Sequence, residues 1–294
     1  MPTMTAPPRL FDWPLRRLRL DRALRAGLPA DFLRRRVAED MAATLSGIVR
    51  QFHAGVDLSA RDRLFEQVLA AEGLADRIQV VQRIDQVGPG LDAFQDNEIP
   101  ALEAATSDLV VSILSLHWTN DLPGALSQIR RALRPDGLFI GALFGGSSLQ
   151  ELRWALGQAE LELTGGAAAR VSPFADAFDG GGLLQRAGFA LPVSDIDRLK
   201  VTYADPFALI RDLRAMGETA LFAERARPLT RAVVARMAQL YLERYGDAEG
   251  RIPATFEIVT LSGWAAHPDQ QKPLRPGSAK TRLADALGVK EGKL

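Results

Sequence analysis

One histidine of this chain stands where α/β proteins keep their chemistry. His117 follows Leu109 to Leu116, an apolar, β-branched run of the kind buried on both faces of a parallel sheet. Open α/β sheets hold ligands beyond the carboxyl ends of their strands. An imidazole at such an end can bind a substrate or move a proton; the bland alternative is a ring bonded to a loop carbonyl. Trp118 and Phe144 read as pocket walls, and Phe144, Gly145 and Gly146 lie at the next strand end. With Trp118 they are assigned to substrate binding. Gly145-Gly146-Ser147 lacks the G-x-S-x-G pattern of a nucleophile elbow, which argues against hydrolase chemistry. Gly88-Pro89-Gly90-Leu91-Asp92-Ala93 fits the dinucleotide fingerprint G-x-G-x-x-A. That motif must open a helix, and residues 91–106 carry no apolar helical stripe and contain Pro100, so it reads as a surface turn.

The elements that position His117 are legible around it. Asp121 is placed to cap a helix with Pro123 in its first turn, and Leu122, Leu126, Ile129 and Leu133 repeat along one face. Pro135, Asp136 and Gly137 are expected to stop that helix, and Leu138 to Phe144 reads as a second buried strand. Strand, helix and strand from Ser107 to Gly146 make a right-handed βαβ unit. Upstream, Asp31 opens a helix carrying Leu33, Val37, Met41 and Leu45. Phe52 to Leu58 is a first strand, Leu64, Val68 and Leu69 mark a helix ending near Gly73, and Ile78 to Ile84 is a second strand. Downstream, Ser148 and Glu151 fit a capping box for a long helix with Leu149, Leu152, Leu156 and Leu163 inward, closed by Gly165-Gly166. A loop is expected up to Gly182. Helices follow from Asp205-Pro206 and from Thr230, and Phe256 to Leu261 is a closing strand. The predicted organisation is a basic N-terminal helix over 1–30, an α/β core over 31–146, a helical insert with closing strands over 147–264, and a polar tail over 265–294.

Composition narrows the function classes. The chain has 294 residues, 47% hydrophobic and 24% charged, an ordinary globular mixture. It contains no cysteine, which excludes disulfides, zinc–thiolate sites and cysteine nucleophiles and suits a reducing cytoplasm. His53, His117 and His267 are too scattered to suggest a metal cluster. Net charge is zero, but residues 1–36 hold nine arginines against three aspartates. Leu15, Leu18 and Leu24 share a face there, so a basic amphipathic helix is expected. It can pack its leucines on the domain as a lid, or meet an anionic membrane or an acidic protein. No aromatic interleaving supports nucleic acid as a partner. A bacterial cytoplasmic protein, at most peripheral to the membrane, is expected.

The order DLVVS…LHW…DLP.AL..I.R.L.PDG.F..A.FGG over residues 108–146 resembles the second half of a class I S-adenosylmethionine-dependent methyltransferase domain. It is most similar to the respiratory complex I assembly factor 5 family and its bacterial relatives. FDWPLRRLRLDRA at 11–23, LQELRWALGQAE at 149–160, SPF at 172–174, RAGF at 186–189, AMGE at 215–218 and PATFEI from Pro253 extend the resemblance over most of the chain.

The resemblance implies a Rossmann-like α/β sheet with helices on both faces, a helical lid, and an S-adenosylmethionine site. It assigns Asp57 as the acid leading the loop after the first strand, with Ser59, Arg61 and Arg63 at three positions where the family carries glycine. Two long arginine side chains are then expected where the ligand lies, which makes the loop degenerate and S-adenosylmethionine binding weak or absent. Asp85, one place beyond the family's second-strand acid, is the candidate for the ribose hydroxyls. Asp96 and Asn97 match the family's third acidic signal, and Ser115 completes the cofactor set. The resemblance favours a catalytic role for His117. Arg153, Glu160, Tyr203 and Glu218 lie in family-like stretches of the insert and are candidates for gripping a protein substrate. Two functions remain open: an enzyme acting on a respiratory complex I subunit, by methylation or by arginine oxidation, and a non-catalytic assembly chaperone on the same fold.

Overall fold

A computed structural model describes residues 9–27, 30–95, 98, 100, 102–174, 180–224, 226–267 and 269. Asp96, Asn97 and most of the polar tail lie outside them.

Seven strands form one sheet in the order β3-β2-β1-β4-β5-β7-β6. β1 (Phe52–Asp57), β2 (Ile78–Asp85), β3 (Ala93–Phe94), β4 (Ser107–Ile113) and β5 (Leu133–Phe144) pair in parallel. β7 (Ile252–Ala265) runs antiparallel between β5 and β6 (Phe189–Tyr203). The strand order turns back between β1 and β4, which opens a crevice beyond their carboxyl ends.

β4 is buried at every residue, as its continuous apolar run requires. Its side chains alternate between two cores. Leu109, Val111 and Ile113 join the cluster of α2 (Phe32–Ser46), α3 (Leu64–Ala71), α5 (Gln150–Thr164), α7 (Pro206–Met216) and α8 (Arg231–Tyr245). Val110 faces the other cluster, with Leu126 and Ile129 of α4 (Leu122–Ala132) and Leu184 of α6 (Gly180–Arg186). Helices therefore cover both faces, as expected. Asp121, Asp205 and Thr230 cap α4, α7 and α8 through their side chains.

Several local expectations need correction. β4 ends at Ile113, and Leu116–Trp118 forms a 3₁₀ turn that redirects the chain at the crevice. α4 stops at Ala132, because Leu133 already pairs with Ser107 as β5 begins; Pro135 to Gly137 lie inside that strand segment. Ser148 and Glu151 do not form a capping box. Leu149 takes a left-handed φ of 55°, Ser148 bonds the Glu257 backbone, and Glu151 accepts from the Thr255 N–H and hydroxyl. Leu163 is exposed. Gly180, Gly181 and Gly182 begin α6 rather than ending a loop. The long β6 and the short β3 have no counterpart in the sequence reading. The helical insert is divided, with α5 and α6 before β6 and α7 and α8 between β6 and β7.

The largest correction concerns α1 (Trp13–Ala26). Asp12 caps it by accepting from the Leu15 N–H, with Pro14 in the first turn. Its buried residues are Arg16, Leu20 and Ala23, while Leu18 and Leu24 face solvent at 63% and 37% exposure. α1 packs on α7, and the segment before it is fastened by Asn120 and by backbone bonds to Leu221 and Ala223. α1 is thus a lid over the crevice, but Arg16, Leu20 and Ala23 face inward rather than Leu18 and Leu24.

Candidate functional site

The crevice is floored by side chains from successive strand ends. Asp57 closes β1, and its Oδ1 accepts from the backbone N–H and the hydroxyl of Ser59, both at 2.8 Å. The Ser59 Oγ in turn accepts from the Ile113 N–H at 2.7 Å, which ties the first turn to β4. Burial pushes the Asp57 carboxyl up to about 6, against the opposing effect of the Ser59 bonds. Folded protein therefore binds more protons than unfolded protein between pH 3.8 and about 6, and this group's contribution to stability falls as pH rises through that window. Asp57→Asn is expected to keep both Ser59 bonds and to gain stability near pH 7. A shift of about two pKa units bounds the gain at roughly 3 kcal/mol. Urea unfolding at pH 5 and pH 7.5 checks this; the gain over wild type should be larger at pH 7.5, and no gain there, or one no larger than at pH 5, contradicts it.

Asp85 closes β2 and is buried at 2% exposure, so the one-place offset did not turn it away from the site. Its carboxylate accepts from the Arg61 N–H at 3.1 Å and the Gln86 N–H at 2.7 Å. The first and second turns meet here, since a Cβ on Gly88 would lie 2.5 Å from the Arg61 carbonyl oxygen.

The two arginines at glycine positions behave differently from expectation. Arg63 points outward at 63% exposure toward Glu66. Arg61 reaches the Met216 carbonyl at the end of α7, 3.1 Å away. Although half-buried by surface area, Arg61 is packed round closely enough that desolvation, then Arg34, push it down to about 10. The side chain that fills the crevice is Arg16 of α1, at 4% exposure. Its guanidinium donates to Gln86 Oε1 at 2.6 Å and to Ser115 Oγ at 2.9 Å, with Asp85 3.8 Å away. Trp13 covers it at 4.9 Å from the ring centre.

His117 lies beside this group. Its Nε2 is 3.0 Å from Glu218 Oε2, which also accepts from Trp118 Nε1 at 2.9 Å. Burial alone would raise the Glu218 carboxyl, but His117, Arg61 and Arg16 together hold it below its ordinary value. An ionised carboxylate only accepts, so Nε2 carries the hydrogen. Nδ1 is buried without a partner. Phe144 and Phe174 wall the ring at 4.9 and 5.5 Å. Asp57, Ser59, Asp85, Ser115, His117, Trp118 and Phe144 are thus gathered at one end of the sheet.

Other assigned residues sit elsewhere or serve the scaffold. Gly145 donates to the Glu257 carbonyl at 2.8 Å and is pressed against the Glu257 side chain, so it closes the β5–β7 seam. Arg153 holds the carbonyls of Gly146, Ser148 and Ser172. Tyr203 is packed in the apolar core near Asp212, and Glu160 pairs with Arg170. Arg16 and Gln86 were not anticipated. The usable signal was the stripe Arg16, Leu20, Ala23, which competes with the leucine stripe on the same helix. Among the described residues, no group of histidine and acidic side chains could hold a metal ion.

The strand order and the acids at the ends of β1 and β2 define a class I methyltransferase fold. A methyltransferase domain family matches residues 54–141. A putative methyltransferase structure from Bacillus halodurans superposes with a TM-score of 0.50 at 10% identity, covering 78% of this chain and 99% of its own. Arginine-hydroxylase NDUFAF5, mitochondrial, of Danio rerio is 38% identical, covering 90% of this chain and 84% of that protein. The Homo sapiens counterpart is 37% identical, covering 94% and 83%. A malonyl-[acyl-carrier protein] O-methyltransferase of Methylovorus is 32% identical, covering 92% and 97%. The chain belongs to the NDUFAF5 family of class I methyltransferase-fold proteins.

Proposed function

We propose that the chain is an arginine-directed protein-modifying enzyme, with a client in respiratory complex I, that binds S-adenosylmethionine at the ends of β1 and β2. The observation that carries the reading is a guanidinium, that of Arg16, held out of water at the ends of β2 and β4. A site that desolvates this cation must supply acceptors in its plane and opposite charge nearby. Gln86, Ser115, Asp85 and Glu218 supply them. The family's named activity, arginine hydroxylation in NDUFAF5, calls for such a site.

The cofactor residues fit in kind. Asp85 retains lone pairs for ribose hydroxyls, and Asp57 presents a carboxyl to the methionine amine. Bound there, S-adenosylmethionine would supply a sulfonium-activated methyl group. His117 would offer its free Nδ1 to a client N–H while Glu218 fixes the ring. Trp118 and Phe144 exclude water. Hydroxylation would insert one oxygen atom of dioxygen into a client C–H bond and would need two electrons and two protons from a separate reductant to release the other atom as water; these side chains supply neither the oxidant nor the electrons. The exposed Leu18 and Leu24 of α1, among arginines, support a peripheral contact with an anionic membrane; among the described residues no helix is long and apolar enough to cross one.

Thermal shift with S-adenosylmethionine tests the cofactor half of the reading. A ligand at a hundred times Kd stabilises the folded state by about 2.7 kcal/mol. Wild-type protein or Arg16→Ala is expected to show a saturable shift that Asp85→Ala abolishes. No shift in either of the first two proteins overturns the cofactor site.

A further inference from the structure

We propose that the cavity between α1, α5, α7 and α8 binds a long-chain fatty acid, with the hydrocarbon tail inside and the carboxylate among arginines at the opening. The site goes beyond the proposed function, and none of the assigned cofactor residues lines it.

The cavity has a volume of about 720 Å³, within the range of about 300–1,000 Å³ usual for small-molecule pockets. Its inner wall is apolar. Leu152 and Leu156 of α5, Leu213 of α7 and Met237 of α8 are buried there, and Val234 of α8 is half-buried. Phe207 of α7 stands at the opening with 44% exposure. Glu218 is the one acid among the described lining residues, and its Oε2 already serves His117 and Trp118. Such a wall takes hydrocarbon, since it offers few partners to a buried hydroxyl or amide.

The rim has the opposite character. Arg19, Arg22, Arg170, Arg211 and Arg214 all line the cavity. Arg19 is held by the Thr219 hydroxyl and the Ala220 carbonyl, and Arg170 by Glu160. Arg22, Arg211 and Arg214 are exposed, and among the described residues none of the three has a hydrogen-bond or ion-pair partner. Phe207, Ile210, Arg211 and Arg214 recur at i, i+3, i+4 and i+7, so one face of α7 carries both apolar wall and cationic rim. Guanidinium groups beside an apolar chamber fit an anionic amphiphile, whose head accepts from them while its tail leaves water. One chamber with one charged opening accepts one chain and one head. The exposed pairs are screened and orient the ligand more than they hold it. Affinity therefore comes from the chain, at about fourfold per buried methylene.

Isothermal titration with free fatty acids below micelle formation tests the site. Hexadecanoate should bind saturably, one per chain, and dodecanoate at least about tenfold more weakly. Dodecyltrimethylammonium (the chain with the opposite charge) and butyrate (the charge without the chain) should give no saturable heat. Arg211→Glu with Arg214→Glu, both on the surface, should weaken hexadecanoate by about tenfold. Val234→Trp narrows the cavity from a half-buried position and should weaken hexadecanoate more than dodecanoate. Melting curves verify that each variant is folded. Sedimentation with phosphatidylglycerol vesicles should be unchanged in Val234→Trp; a loss there matching the loss of hexadecanoate would assign the cavity to a bilayer lipid and overturn the fatty acid. Absence of saturable binding, equal binding of the cationic chain, or hexadecanoate affinity unchanged in both variants also overturns the proposal. None of these failures touches the cofactor reading, because the thermal shift with S-adenosylmethionine depends on other residues.

Discussion

Glu218→Ala should lose about 3–5 kcal/mol of unfolding free energy, the range expected when one member of a buried charged group is removed. One carboxylate oxygen serves both His117 Nε2 and Trp118 Nε1, and the same charge compensates Arg61 and Arg16. Truncation leaves two ring donors without an acceptor and two guanidinium groups with less opposing charge. Glu218→Gln keeps an acceptor oxygen and should lose markedly less. The pH dependence has a defined sign. Because the folded carboxyl lies below its ordinary value, the stability it contributes is present above the unfolded carboxylate pKa and is lost as pH falls through the folded one. Denaturation across pH 3 to 7 should therefore show a shallower acid-side decline in Glu218→Gln than in wild type. A Glu218→Ala loss below about 1 kcal/mol would mean that water already serves these donors.

Gly88→Ala should cost about 2–5 kcal/mol, joining backbone strain to overpacking. Gly88 has φ +146°, a conformation that residues with a Cβ rarely adopt, and its added carbon would meet the Arg61 carbonyl oxygen at 2.5 Å and the Arg61 Cα at 2.7 Å. Backbone offers no rotamer by which to yield, so the first and second turns must part. The bond from the Arg61 N–H to Asp85 spans the same gap and should weaken with them. Unfolding in urea gives the loss directly; a midpoint unchanged from wild type would show that the two turns are not held together.

The sequence carried the parallel half of the sheet well, for a physical reason. Strands such as β4, buried on both faces, leave continuous apolar runs, and Asp121, Asp205 and Thr230 cap helices through local bonds that sequence spacing determines. β6 escaped because it alternates polar and apolar residues on a partly exposed edge, and its pairing is set by β7, some sixty residues on. Ser148 and Glu151 matched a local pattern, but bonds to Thr255 and Glu257 across the sheet prevailed over it. At the site, Asp57, Asp85 and His117 were legible because they sit at the ends of recognisable strands. Arg16 was not, because its burial depends on where α1 lands rather than on its own neighbours. Reading Arg61 and Arg63 as occupants of the ligand space assumed that a residue at a glycine position must point inward; Arg63 turns to solvent and Arg61 runs to α7.

Mass spectrometry of the proposed client tests the central claim most directly. Complex I subunits would be isolated from cells with the gene deleted and rescued with wild type or with Asp85→Ala, whose folding is first verified. The expected result is one subunit arginine heavier by a single oxygen atom in the wild-type rescue, and unmodified in the deletion and in the Asp85→Ala rescue. Subunit arginines of identical mass in all three strains would contradict the account.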